Sequence, residues 1–203
     1  MVMRAEFLFD FGSPNAYLSH LVLPEIEART GVKFDYIPIL LGGVFKLTNN
    51  KPPMIAFGGI KNKLEYEQLE TQRFIRRHNI TRYKFNPDFP INTLVIMRAA
   101  AAAKENGELP AYVDAVFHHM WEAPKKMDDV DVIRAALTES GLDAERLLAL
   151  AQTPEIKQRL LDNTEQAVAC GVFGSPSFFA GDALFFGKNT LPEVEEQLVR
   201  RAA

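Results

Sequence analysis

One cysteine, Cys170, occurs in 203 residues. No internal disulfide can form, which agrees with a reducing compartment. Basic charge is not in excess: 23 Lys and Arg stand against 26 Asp and Glu, for a net charge of −3. The cations are also scattered, so the chain lacks the positive field that nucleic acid needs. No apolar run is long enough to span a bilayer, and Met1 to Arg4 lead straight into a strand pattern rather than a signal peptide. The expectation is a cytoplasmic protein with neither a membrane nor a nucleic-acid partner. His20, His78, His118 and His119 show no ligand spacing with acids or thiols, so no metal is expected. Repeats and low-complexity tracts are missing too. The 47% hydrophobic content and the length suit one large domain, or a small domain carrying another.

The stretch around which the rest is organised is Asp10-Phe11-Gly12-Ser13-Pro14-Asn15-Ala16-Tyr17-Leu18. Before it, Ala5 to Phe11 reads as a buried strand, rich in apolar and aromatic side chains. After it, Tyr17, Leu18, Leu21, Val22 and Ile26 recur at helical spacing. Ser13 is placed to cap the helix and Pro14 to begin it, since that position needs no backbone donor. The free N–H groups and the positive end of the helix dipole make such a tip a place to hold an anion, a thiolate among them. A strand-to-helix tip of this kind resembles the thioredoxin-like fold, where a Cys-x-x-Cys pair occupies it. Here the four residues are Ser13-Pro14-Asn15-Ala16, so no disulfide chemistry can occur at the tip. A serine hydroxyl there can instead donate to the sulfur of a bound thiol, which favours the charged form.

A helix stop at Gly31 and a second strand over Val32 to Ile39 complete a βαβ start, with Pro24 expected to bend the helix. From Leu40 to Cys170 helical patterns take over. Leu41-Gly42-Gly43 through Pro53 reads as a loop with one short helical turn, followed by a polar helix from Ile60 to Arg77. Further helices are expected from the Asn92 cap, from Pro110, over Asp129 to Glu139, over Asp143 to Leu150, and from Thr153-Pro154 to Ala169. Cys170, at the end of the last, reads as a buried packing residue. Trp121 and Phe117 read as core. Ser177 to Ala180 and Ala183 to Phe186, separated by Gly181-Asp182, predict a tight hairpin, and Leu191 to Arg200 a final helix. The predicted fold is α/β: a thioredoxin-like domain (βαβ…ββα) formed by residues 1–40 and 171–203, interrupted by an all-helical insertion domain, 41–170. In that fold a cis proline stands opposite the helix tip, and Ser175-Pro176 occupies the place.

Five motifs in order carry a closer resemblance: Phe9-Asp10-Phe11-x-Ser13-Pro14-x-Ala16-Tyr17-Leu18, Asn50-Lys51-Pro52-Pro53, Lys63-x-x-Tyr66, Phe89-Pro90-Ile91-Asn92-Thr93-Leu94 and Gly171-Val172-Phe173-Gly174-Ser175-Pro176. Together they resemble the 2-hydroxychromene-2-carboxylate isomerases, relatives of the kappa-class glutathione transferases. The resemblance implies a glutathione-dependent isomerase of a small bicyclic aromatic carboxylate, acting in naphthalene breakdown and working as a homodimer. It implies that Ser13 bonds the glutathione sulfur and that Asn50 and Lys63 face the active site. It further implies that the Ser175 backbone, before Pro176, pairs with the cysteinyl part, and that Lys188 and Asn189 lie near the γ-glutamyl end. Lys63 could also pair with a substrate carboxylate.

Two positions depart from those relatives. Ser175 stands where they usually carry an apolar residue, and Asn189 where they usually carry an aspartate that binds the α-amino group. Without any resemblance, Ser13 is a helix cap and Lys63 a solvated side chain on a charged helix. Two other functions fit the same residues. One is a kappa-like glutathione transferase, which would consume glutathione. The other is a non-catalytic thiol- or peptide-binding module using the edge beside Pro176.

Overall fold

Strand β1 (Ala5–Phe9) lies at the centre of the molecule, flanked by β2 (Asp35–Pro38) on one side and β3 (Ser177–Ala180) on the other. It pairs parallel with β2, Glu6 opposite Asp35, and antiparallel with β3, Phe7 opposite Phe178. Strand β4 (Ala183–Phe186) closes the hairpin, giving the sheet order β2-β1-β3-β4. This computed structural model describes residues 4–202. Met1–Met3, on which the reading of the amino terminus rests, lie outside the described residues. A parallel β1–β2 pair needs a crossover, which helix α1 (Pro14–Thr30) supplies. The mixed sheet and its order are those of a thioredoxin-like fold of the α/β class.

Between β2 and β3 run eight helices: α2 (Leu41–Thr48), α3 (Pro53–Phe57), α4 (Lys63–Arg77), α5 (Leu94–Glu105), α6 (Leu109–Trp121), α7 (Val130–Glu139), α8 (Ala144–Leu150) and α9 (Pro154–Ala169). A 3₁₀ turn (Lys188–Thr190) and α10 (Leu191–Ala202) follow β4. Side-chain caps set several starts, with Ser13, Asp129, Asp143 and Thr153 each accepting a first-turn N–H. Gly31, at φ +70°, stops α1 in the left-handed conformation, which a Cβ disfavours.

Several boundaries differ from expectation, among them the start of α4, at Lys63 rather than Ile60, because Asn62 before it takes the left-handed conformation at φ +68°. Residues 41–48 form helix α2 rather than a loop with one turn, although two glycines stand in its first turn. The Leu41 N–H is capped at 2.7 Å by the carboxylate of Asp10, and Val44 is fully buried. These two contacts oppose the helix cost of the glycines, about 1 kcal/mol each. Gly43 also lets α2 approach α9 closely, since a Cβ there would meet the Thr164 side chain at 3.1 Å. Strand β2 begins at Asp35 rather than Val32, because the Phe34 N–H turns away to Glu27. Helix α5 starts at Leu94, one residue later than an Asn92 cap would place it, and Asn92 still accepts the Leu94 N–H. Cys170 is half-buried rather than buried.

The core sits under the sheet, where Phe7, Phe9, Phe11 and Tyr17 meet Phe117 and Trp121 of α6. Phe11 and Phe117 pack edge to face at 4.8 Å, and the buried Trp121 indole donates to the Phe11 carbonyl at 2.8 Å. That bond fastens the segment before Ser13 to a helix more than a hundred residues away in sequence. Trp121→Phe is expected to cost about 2–3 kcal/mol, by orphaning a buried carbonyl and leaving a small cavity. Urea unfolding of the two proteins measures it.

Candidate active site

At the end of β1 the chain turns sharply. The Ser13 N–H donates to the Asp10 carbonyl at 3.0 Å, and the Gly12 N–H to the Asp10 carboxylate at 2.8 Å. The turn presents Ser13 at the tip of α1, buried, with Pro14 as the first helical residue. Its Oγ accepts the Ala16 N–H at 3.2 Å and donates to the Ser175 carbonyl at 2.9 Å. Ser13, Ser175 and Pro176 therefore share one spot, and the Ser175–Pro176 peptide is cis. The Asn15 N–H, at the same tip, has no helical acceptor in the first turn.

Ser175 contributes more than its backbone. Its hydroxyl oxygen accepts the Asp10 N–H at 3.1 Å, so both of its oxygens bind the β1–α1 turn. An apolar residue could not make the first of these bonds. The sequence marked the position as a departure but not its effect.

Lys188 and Asn189 join the spot through the backbone. The Gly187 N–H donates to the Pro176 carbonyl at 2.9 Å, placing the 3₁₀ turn beside the tip of α1. Lys188 is buried as a residue, and its ammonium donates to Asn189 Oδ1 at 3.3 Å and lies over the Phe74 ring of α4 at 5.4 Å. Burial pushes its pKa down, opposed by the charges of Glu67 and Glu70. Asn50 is exposed and donates to the Phe173 carbonyl at 2.9 Å, bracing the loop two residues before Ser175. Lys63 is engaged elsewhere: it pairs with Glu67 at 2.6 Å, one turn along α4, and lies over the Phe57 ring at 5.1 Å. It bonds neither Ser13 nor Ser175.

One residue that ties the site together had no role in the sequence reading. The Asp10 side chain is completely buried and accepts from Gly12, from Leu41 at the start of α2 and from the Thr93 hydroxyl at 3.1 Å before α5. Burial pushes its pKa up, and the three donors oppose the shift. The signal was an acid directly after the buried run Phe7-Leu8-Phe9, a place where a carboxylate needs several donors.

The arrangement can hold a sulfur at the Ser13 hydroxyl, beside the Asn15 N–H and the Ser175 carbonyl, with the Lys188 ammonium further along. It holds no second thiol with which to exchange. The known proteins that this chain resembles fit that chemistry. It is 27% identical over 199 residues to a 2-hydroxychromene-2-carboxylate isomerase of Sphingobium xenophagum, covering 98% of this chain and all of that one. It is 26% identical to human glutathione S-transferase kappa 1, over 84% of this chain and 78% of the other. A solved 2-hydroxychromene-2-carboxylate isomerase superposes with a TM-score of 0.84 at 24% identity, covering 98% of this chain and 96% of that one, which speaks for the fold. The sequence profile of the DSBA-like thioredoxin domain runs from residue 5 to 199, nearly the whole chain. With its four-stranded sheet, its helices between β2 and β3 and a serine at the tip, this chain belongs to the family of DSBA-like thioredoxin domains.

Proposed function

We propose that this protein is a glutathione-dependent isomerase that converts 2-hydroxychromene-2-carboxylate to trans-o-hydroxybenzylidenepyruvate, a step of aromatic hydrocarbon catabolism. The observation that carries this reading is the buried Ser13 hydroxyl at the N-terminal tip of α1, 2.9 Å from the Ser175 carbonyl. The donor set suits an acidic thiol: a hydroxyl and an N–H for its sulfur, and an ammonium for a carboxylate. When bound, glutathione would supply an ionised sulfur that adds to a conjugated carbon and leaves again after bond rotation, so none is consumed.

Ser13 has two tasks in this scheme. Its oxygen keeps the cap on Ala16, while its hydrogen turns from the Ser175 carbonyl to the sulfur and holds the charged form. That turn releases the Ser175 carbonyl to accept an N–H from the cysteinyl backbone beside Pro176. Lys188 and Asn189 hold the tail. Asn50 keeps the loop in place, and Lys63 would leave Glu67 to pair with the substrate carboxylate. The same proposal includes a cytoplasmic homodimer and the division into a 1–40 and 171–203 domain with a 41–170 insertion. The single cysteine supports the first. The exposed Met54, Ile55, Ile60 and Leu69 give a second copy apolar surface to cover.

Thermal unfolding with reduced glutathione tests the thiol site. At ~100 times its dissociation constant the ligand should stabilise the fold by 2.7 kcal/mol, and Ser13→Ala should shrink the shift. No shift at millimolar concentration would overturn the reading. Human glutathione S-transferase kappa 1 favours a second one, a transferase built on the same serine. Product analysis separates them, because a transferase leaves glutathione attached to its substrate.

A further inference from the structure

We infer that the tail end of this site is built for a carboxylate and not for an ammonium, so that the preferred thiol is an acid-tailed one whose amino group adds nothing to binding. The inference rests on the proposal that Ser13 holds a thiol. It turns on Lys188, which is 5% exposed although it carries a charge.

Lys188 lies within a small molecule's reach of Ser13. The path is short: Ser13 bonds the Ser175 carbonyl, Pro176 bonds Gly187, and Lys188 is next in the chain. With ~3.8 Å between neighbouring Cα atoms, Ser175 and Lys188 are no more than about 14 Å apart along it. An extended tripeptide covers roughly 10 Å, and the flexible Lys side chain shortens the remainder. A thiol with its sulfur at Ser13 and its backbone along Ser175 therefore has this ammonium within range of its tail.

The ammonium is under-supplied with acceptors. It has three N–H donors. Among the described residues one is taken, by Asn189 Oδ1 at 3.3 Å, beyond the usual N–H···O range of about 2.7–3.2 Å. The Phe74 ring face adds cation–π attraction without a hydrogen bond. The acids whose charges reach Lys188 are Glu67 and Glu70 of α4. Both are held by other cations, Glu67 by Lys63 and Glu70 by Arg73. Among the described residues Lys188 therefore makes no direct ion pair, and an incoming carboxylate would supply one.

An ammonium on the same tail meets the opposite situation. It would approach a buried cation, Asn189 already faces Lys188, and the two acids whose charges reach the spot, Glu67 and Glu70, are held by Lys63 and Arg73. Like charges brought together in a partly dry site repel. Carboxylate and ammonium on one tail carbon are thus read with opposite sign by the same residue.

Isothermal titration calorimetry with three thiols decides the matter: reduced glutathione, its desamino analogue glutaryl-cysteinylglycine, and cysteinylglycine acetylated at its amino group, which lacks both the tail and an ammonium. In the unaltered protein the desamino analogue should bind at least as tightly as glutathione, and the acetylated dipeptide about tenfold more weakly. Lys188→Met, which keeps the stem and removes the charge, should weaken the two acid-tailed thiols about tenfold and leave the acetylated dipeptide unchanged. Glutathione binding tenfold tighter than its desamino analogue would overturn the inference, and so would indifference of all three to Lys188→Met, while leaving the thiol site standing. Binding of none of the three would overturn the proposed function itself. The wild-type comparison needs no variant, so it decides even if Lys188→Met does not fold.

Discussion

Ser13→Ala is expected to lower kcat/KM for the isomerisation by up to about 10²-fold. A hydrogen bond to a charged group contributes about 1.5–3 kcal/mol, and each 1.36 kcal/mol is tenfold in rate. The same change removes the cap on Ala16 and the partner of the Ser175 carbonyl, so the fold should lose about 2 kcal/mol. A fold weakened by that amount is still almost wholly native, since domains have 5–15 kcal/mol in hand. A structural role and a chemical one therefore separate in the pH profile. Ser13 favours the ionised sulfur, so without it the sulfur ionises at higher pH. The activity lost near neutrality should return in part under alkaline conditions. Steady-state rates from pH 6 to 9 show this, and a uniform loss across that range would mean that Ser13 is only a cap.

The legible parts of the molecule are those whose causes are local. Ser13 and Pro14 at one end of α1 and Gly31 at the other are neighbours of what they start and stop. Asp129, Asp143 and Thr153 do the same for α7, α8 and α9, and Gly181-Asp182 marks the hairpin of β3 and β4. What escaped the sequence depends on partners far along the chain. Helix α2 looked like a loop because its cap, Asp10, lies 31 residues earlier. The hydroxyl of Ser175 looked incidental because the Asp10 N–H that it accepts is 165 residues away. The site divides in the same manner. Ser13 was readable from its cap and Pro176 from its strand, whereas no pattern shows that Lys188 is buried or that Lys63 faces Glu67.

Asp10→Ala should have the largest effect on stability, about 3–5 kcal/mol. It strands the Gly12 and Leu41 N–H groups and the Thr93 hydroxyl, and each buried unsatisfied group costs about 1–3 kcal/mol. For a chain of this size a loss of that order lowers the unfolding midpoint by about 10 °C. Asp10→Asn distinguishes the shape of the side chain from its charge. Burial raises the Asp10 pKa above its value in the unfolded chain, so the folded protein holds this proton more strongly. The stability that the proton brings is complete below the unfolded carboxylate pKa and is lost as pH rises through the folded one. Asparagine keeps the shape and does not titrate; its amide nitrogen replaces one acceptor by a donor, a cost that is the same at every pH. The stability of the unaltered protein relative to Asp10→Asn should therefore fall as pH rises from the ordinary carboxylate range. Glu70, Glu139 and Glu195, whose partners lower their pKa values, act in the opposite direction but equally in both proteins, so they cancel in the difference. Urea unfolding of the pair between pH 4 and 8 measures that difference. If it stays flat, the donors from Gly12, Leu41 and Thr93 match the cost of burying the charge, and Asp10 is a clamp whose charge leaves the fold's pH dependence unchanged.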